Sequence, residues 1–129
     1  MPSLFAYGTL CHQNVQQLLF GRPLKSLRYT LEGYTVCRCD DGFYTIKEKH
    51  GSSITGMILE VTEEDLMIAD EWELVPLYLR HQDAADGFWY YTRSNMSDVV
   101  DEAADGLCAY PEEELLEIVR EFMAQRQNS

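Results

Sequence analysis

The chain has 129 residues, 46% of them apolar, and a formal net charge of −12; that is material for one ordinary hydrophobic core, and it reads as a single domain over residues 1–129. So large an excess of acid argues against nucleic acid or an anionic membrane surface as partner, and an anionic ligand would need backbone N–H groups or a placed cation rather than a general field. No apolar run approaches the ~20 residues of a membrane span, and no basic region precedes an apolar core at the N-terminus, so the expected setting is cytoplasmic, without a signal peptide.

Leu4 to Tyr7 read as a short buried strand, ended by Gly8. Glycine tolerates unusual backbone angles and lets a ligand approach the main chain closely. Thr9 can cap a helix or bond within its own loop. Val15, Leu18, Leu19 and Phe20 follow at helical spacing. Taken alone this is a strand end; as strand, glycine turn and helix start, it also turns free N–H groups outward, where they can hold a carboxylate or an oxyanion. Gly21-Arg22-Pro23 breaks the helix. Ser26 to Cys39 alternate loosely, one or two strands with a kink or bulge at Gly33. Asp40-Asp41-Gly42 is a turn and Phe43 to Ile46 the next strand; His50 to Ser53 turn again, and Ile54 to Val61 form a strand containing Gly56. The whole suggests a curved antiparallel sheet.

Thr62-Glu63-Glu64-Asp65 starts a helix, with Thr62 as cap and the acids at its positive end. Leu66, Ile68, Ala69 and Trp72 give its apolar face, and Pro76 stops it by about Val75. Glu73 therefore falls on or just after the last turn, bordering the buried face, where partial desolvation raises a carboxyl pKa. Leu77 to His81 and Phe88 to Tyr91 read as strands across a polar turn, and Ser94 to Gly106 as a loop or short irregular helix. Leu107 to Tyr110 are expected to form a last short strand ended by Pro111, and Glu112 to Gln125 are the clearest helix, with residues 125–129 fraying. Cys11, Cys37, Cys39 and Cys108 have no zinc spacing and read as reduced thiols; His12, His50 and His81 read as surface or structural. No metal site and no cofactor are implied. Cys11 and His12 are neighbours in sequence, whereas a nucleophile and its base normally come from separate elements, so a thiol mechanism is disfavoured.

Two stretches together carry a resemblance. Leu4-Phe5-Ala6-Tyr7-Gly8-Thr9-Leu10 resembles the Tyr-Gly-Ser/Thr-Leu signature of the gamma-glutamylcyclotransferase-like family, in its avirulence-induced-gene-like or gamma-glutamylamine branch. Ala69-Asp70-Glu71-Trp72-Glu73, then Tyr78-Leu79-Arg80, resembles its Leu-Asp-x-x-Glu motif followed by Tyr-x-Arg. The likeness covers about residues 3–81. Ala69 stands for the usual Leu, and Leu74 for the Gly that often follows the Glu; the second departure touches the pocket wall and hence the substrate. The resemblance implies a mixed α/β (α+β) fold: a small, closed or nearly closed, mainly antiparallel β-barrel flanked by a few helices.

It also implies a reaction, release of 5-oxoproline and a free amine or amino acid from a gamma-glutamyl conjugate. Glu73 would be the catalytic acid and base, and Tyr7, Gly8, Thr9 and Leu10 would bind substrate. Asp70, Tyr78 and Arg80 are supporting candidates; Arg80 could pair with Asp70 or Glu73 or reach a substrate carboxylate, a structural ion pair being favoured. The expected partner is a small gamma-glutamyl molecule, and the expected state a monomer or small homo-oligomer. Two rivals stay open: a non-enzymatic member binding a metabolite or a protein, and a related gamma-glutamyl acyl transferase or hydrolase. A cavity joining Glu73 to the Tyr7–Leu10 turn separates the enzyme from the binder.

Overall fold

A computed structural model of the chain describes residues 2–102 and 104–128. The element order is β1 (Ser3–Ala6), a 3-10 turn (Thr9–Cys11), α1 (Gln13–Phe20), β2 (Ser26–Cys39), β3 (Tyr44–Glu60), α2 (Glu63–Trp72), β4 (Tyr78–Gln82), β5 (Trp89–Arg93), a 3-10 turn (Met96–Asp98), β6 (Val99–Glu102) and α3 (Glu112–Gln127). The fold is mixed α+β. Six strands form one sheet in the order β4-β5-β1-β3-β2-β6, antiparallel except where β1 meets β5 through Leu4 and Trp89. The sheet is not closed: β4 and β6 are its two edges. A side chain ties the β4 edge to the start of β3, three strands away, the Tyr78 hydroxyl donating to the Tyr44 carbonyl at 2.8 Å.

β1 is buried on both faces, which is why its sequence reads as a continuous apolar run rather than an alternation. Leu4 and Ala6 enter a core with Val15 and Leu19 of α1, Leu66, Ala69 and Trp72 of α2, and Leu115 and Val119 of α3. Phe5 points the other way, into a second cluster with Ile46, Ile54 and Phe88. There its ring lies 5.8 Å from both Tyr29 and Phe88, an aromatic nest beneath the twisted β2–β3 ribbon. Gly56 makes the crossing possible: a Cβ at that position would sit 2.3 Å from the Ala6 carbonyl oxygen. No helix among the described residues is long and apolar enough to cross a membrane.

The structure departs from the sequence reading in five places. Thr9 caps no helix; the His12 ring accepts from the Asn14 N–H at the start of α1, and its far nitrogen lies 3.2 Å from Glu112. His50 to Ser53 do not turn the chain, because β3 runs through them. Gly33 and Gly51 both have φ of 83°, and the register passes from Tyr34–Glu48 to Glu32–Ser53, so the long ribbon bends at an uneven bulge. Val99–Glu102 form an edge strand where a loop or helix was expected, and residues 107–110 form none. There the chain is held by single bonds, Ala109 N–H to the Gly42 carbonyl for one. α3 continues to Gln127 rather than fraying from residue 125; Ser129 lies outside the described residues.

Candidate active site

α2 delivers Glu73. Its start is a complete capping box: the Thr62 hydroxyl accepts from the Asp65 N–H, and the Asp65 carboxylate accepts from the Thr62 N–H. Asp65 also takes the Arg22 guanidinium through two bonds of 3.2 and 2.7 Å. The far end closes with a pair of reversed bonds, Leu74 N–H to the Glu71 carbonyl and Val75 N–H to the Asp70 carbonyl. This winding leaves Glu73 as the capping residue that follows Trp72, its own N–H bonded to the Ala69 carbonyl.

The carboxyl of Glu73 enters a cleft of about 210 Å³. The Tyr7–Leu10 turn lines the same cleft, and Trp72, Tyr78, Tyr91 and Phe122 supply much of the rest of its wall. Among the described residues no hydrogen bond or ion pair reaches this carboxyl. Burial pushes its pKa up to about 8; Arg93 nearby opposes the shift, while Asp41 and Asp70 add to it.

The turn is fixed from both sides. Cys11 and His12 N–H groups close it onto the Gly8 and Thr9 carbonyls at 3.0 and 3.1 Å, and no backbone carbonyl of the turn accepts from Gly8, Thr9 or Leu10. Buried Gln16 donates to the Leu10 carbonyl at 2.7 Å and accepts from the Leu24 N–H. The Trp72 indole donates to the Thr9 hydroxyl at 3.1 Å, tying the turn to the helix that carries Glu73. Gly8 has a steric reason: a Cβ there would come within 3.3 Å of the Leu107 carbonyl oxygen. The Cys11 thiol donates to the Ala6 carbonyl, and burial pushes its pKa up to about 11, so it stays protonated near neutral pH.

Three tyrosines surround the carboxyl with their hydroxyls already committed. Tyr7 donates to the Tyr91 carbonyl at 2.7 Å, Tyr78 to the Tyr44 carbonyl, and Tyr91 to the Asp70 carboxylate at 2.6 Å. Burial first, and the charge of Glu73 second, raise the pKa of Tyr7, and burial with the Asp70 bond raises that of Tyr91. Asp70 and Arg80 do not line the cleft. They form a two-bond ion pair of 2.9 and 3.2 Å, with the guanidinium 4.4 Å over the Trp89 ring, and through Asp70 they hold Tyr91 in place.

Of the residues singled out from sequence, the cleft brings together Tyr7, Gly8, Thr9, Leu10, Glu73 and Tyr78, and leaves Asp70 and Arg80 behind it. Sequence reasoning missed Arg93 and Asp41. Arg93 is 5% exposed and binds Asp41 at 2.8 Å and Asp98 at 2.9 Å, and its guanidinium donates to Tyr78 at 3.3 Å. Burial alone would lower its pKa, but these partners hold it above the ordinary arginine value. The available signal was alternation: Tyr91 and Arg93 share a strand face, so a cation stands two residues from a buried aromatic. Asp41 was absorbed into the turn signal of Asp40-Asp41-Gly42.

The family model described as gamma-glutamyl cyclotransferase, AIG2-like, matches residues 4–113. No curated protein sequence matches the chain. Among solved structures, an Arabidopsis thaliana protein has a TM-score of 0.61 at 17% identity, over 98% of this chain and 79% of that one. A protein described as a gamma-glutamyl cyclotransferase has a TM-score of 0.60 at 14% identity, over 92% of this chain and 86% of that one. An uncharacterised protein from Pyrococcus horikoshii has a TM-score of 0.58 at 17% identity, over 93% and 98%. At these identities the likeness to the solved structures is one of fold.

Proposed function

This chain belongs to the gamma-glutamyl cyclotransferase, AIG2-like family, and from that premise we propose that it releases 5-oxoproline from a gamma-glutamyl conjugate, with Glu73 carrying the protons. The observation that supports this most is a half-buried carboxyl without a hydrogen-bond partner among the described residues, in a cleft also lined by the Tyr7–Leu10 turn, whose Gly8, Thr9 and Leu10 N–H groups are not used by the turn itself.

The substrate's glutamyl group folds back in the cleft. The N–H groups of Gly8, Thr9 and Leu10 donate to its α-carboxylate and to the γ-carbonyl oxygen as that oxygen gains charge; fixed donors of this kind contribute a few kcal/mol each, about 3 for one oxyanion donor. Glu73, as carboxylate, takes a proton from the α-ammonium. The freed nitrogen attacks the γ-carbonyl carbon, forming the ring C–N bond, and the original amide C–N bond breaks. Both protons that the α-nitrogen gives up end on the leaving nitrogen, so the products are 5-oxoproline and a protonated amine. No water is consumed. A pKa of about 8 lets one carboxyl accept and return a proton near neutral pH. Tying nucleophile and electrophile into one molecule supplies much of the rate, provided the cleft holds the folded-back shape.

The test is 5-oxoproline release by purified protein from a panel of gamma-glutamyl amines and dipeptides. Wild type is expected to form product, and Glu73→Gln to fold with an unchanged circular dichroism spectrum while losing at least about 100-fold in turnover, the usual scale for positioned acid–base catalysis. Turnover by Glu73→Gln at the wild-type level would remove Glu73 from the reaction.

A further inference from the structure

The helix end that presents Glu73 contains an anomaly. Leu74 has φ of 54°, the one non-glycine residue with positive φ among the described residues. Its two bonds, Leu74 N–H to Glu71 and Val75 N–H to Asp70, place it at the position after a helix where glycine is the usual occupant, since a side chain is strained there. The strain is not repaid by burial. Leu74 is 59% exposed, and it belongs to neither apolar core.

What the side chain does touch is the cleft. Leu74 lines its mouth beside Glu73, with Leu77 and Phe122. Leu74 and Phe122 also line a second, more open groove that continues outward past Glu71 and Arg126. The two depressions therefore meet at an apolar lip made of one residue from the end of α2 and one from α3. The inner cleft has no lysine or arginine in its lining among the described residues; its charged groups are Asp41 and Glu73, both acids. Asp41 is already paired with Arg93, which stands behind the lining, and the cation of the outer groove, Arg126, is paired with Glu71. An anionic leaving group would therefore meet no uncommitted lysine or arginine side chain in the inner cleft, whereas a methylene chain would meet leucine and phenylalanine.

The geometry points to Leu74 as a specificity residue that selects gamma-glutamyl amides of apolar amines, holding the leaving group over the lip between cleft and groove. This inference rests on the cyclotransferase reading. The glutamyl half lies against the Tyr7–Leu10 turn, the scissile amide lies beside Glu73, and the amine's chain leaves across Leu74 and Phe122. A γ-glutamyl dipeptide would place its terminal carboxylate at this apolar lip, beyond which Arg126 is already paired with Glu71.

Three substrates and two variants test it: γ-glutamyl hexylamide, γ-glutamyl methylamide and γ-glutamylglycine, with wild type, Leu74→Gly and Leu74→Met. Wild type should prefer the hexylamide by kcat/KM and use γ-glutamylglycine least. In Leu74→Gly the hexylamide-to-methylamide ratio of kcat/KM should fall about tenfold, the scale on which a pocket senses a lost apolar contact. Leu74→Met, which keeps an apolar chain, should retain most of the ratio. The Tm of Leu74→Gly should not fall, because the variant relieves backbone strain and removes little packing. A ratio unchanged within about twofold would overturn the assignment. So would equal losses on both amides, which would make Leu74 a support for Glu73 instead, and so would a large drop in Tm, which would make it a stability residue. Product from none of the substrates with wild type would overturn the cyclotransferase reading itself, and this inference with it; product with a flat ratio would overturn this inference alone.

Discussion

Glu73 keeps its proton at a pH where an exposed glutamate has lost it, because burial favours the neutral acid and Arg93 offsets that only in part. This has a consequence for stability. The folded carboxyl titrates near 8 and the unfolded one near its ordinary 4.5. Between these values the folded protein holds a proton that the unfolded chain does not, so stability falls as pH rises through that window. The Tm of wild type should therefore fall relative to that of Glu73→Gln between pH 5 and pH 8, with the difference levelling off above about pH 8.5; parallel profiles would show that Glu73 titrates normally. Product formation should rise over the same range, as the carboxylate appears. The position of this carboxyl could be read from sequence, because Trp72 fixes the buried side of the helix and Pro76 fixes its end. Arg93 and Asp41 could not. Their pairing spans 52 residues, and neither strand nor turn propensity records which distant charge a side chain will meet.

At the scale of elements, α2 shows how much of the site is ordinary helix chemistry. Thr62, Asp65 and the reversed bonds at Leu74 and Val75 set where the helix begins and ends, and so where Glu73 points. Thr62→Ala should cost about 1 kcal/mol in chemical denaturation, the usual value of an N-cap, with the midpoint shifted and the slope unchanged. The cap, the acids behind it and the four buried apolar residues of this helix are all local signals, which is why sequence reasoning located it well. It failed where structure depends on a partner. Val99–Glu102 have two apolar and two acidic residues, no strand pattern of their own, and become a strand because β2 offers an edge, where Arg38 pairs with Asp101 at 2.7 Å; Lys47 of the next strand, β3, pairs with Glu102. Residues 107–110 are more apolar, yet they pair with no strand and bond to the Asp40-Asp41-Gly42 turn instead, Ala109 N–H to the Gly42 carbonyl and the Tyr110 hydroxyl to the Asp41 carbonyl. His50-Gly51-Ser52-Ser53 carry turn residues, but Gly33 opposite lets the ribbon bend around them without breaking.

For the molecule as a whole, the expected mixed α+β fold with a mainly antiparallel sheet is the one found, and the sheet stops short of a closed barrel. Family and fold were legible because two short motifs occur in order at the correct separation. The open edge was not legible, since the sequence does not say whether β4 and β6 meet. The charge of −12 sits on a chain of 129 residues, and self-repulsion opposes compaction. Many of its ion pairs are at the surface, where salt weakens attraction as well as repulsion. With 22 acids against 10 bases, repulsion outweighs attraction. The Tm is expected to rise by a few degrees, about 2–5 °C, between 20 and 300 mM NaCl at pH 7.5; a fall would mean that the pairs around Arg93 and Arg22 outweigh the net charge.

The measurement that tests the central claim most directly is the product formed from a γ-glutamyl amide in water enriched in oxygen-18, read by mass spectrometry for wild type and Glu73→Gln. Intramolecular attack with Glu73 moving the protons predicts unlabelled 5-oxoproline and an equal amount of free amine from wild type, and neither from the variant. Glutamate carrying one labelled oxygen, or equal product from both proteins, would contradict the account.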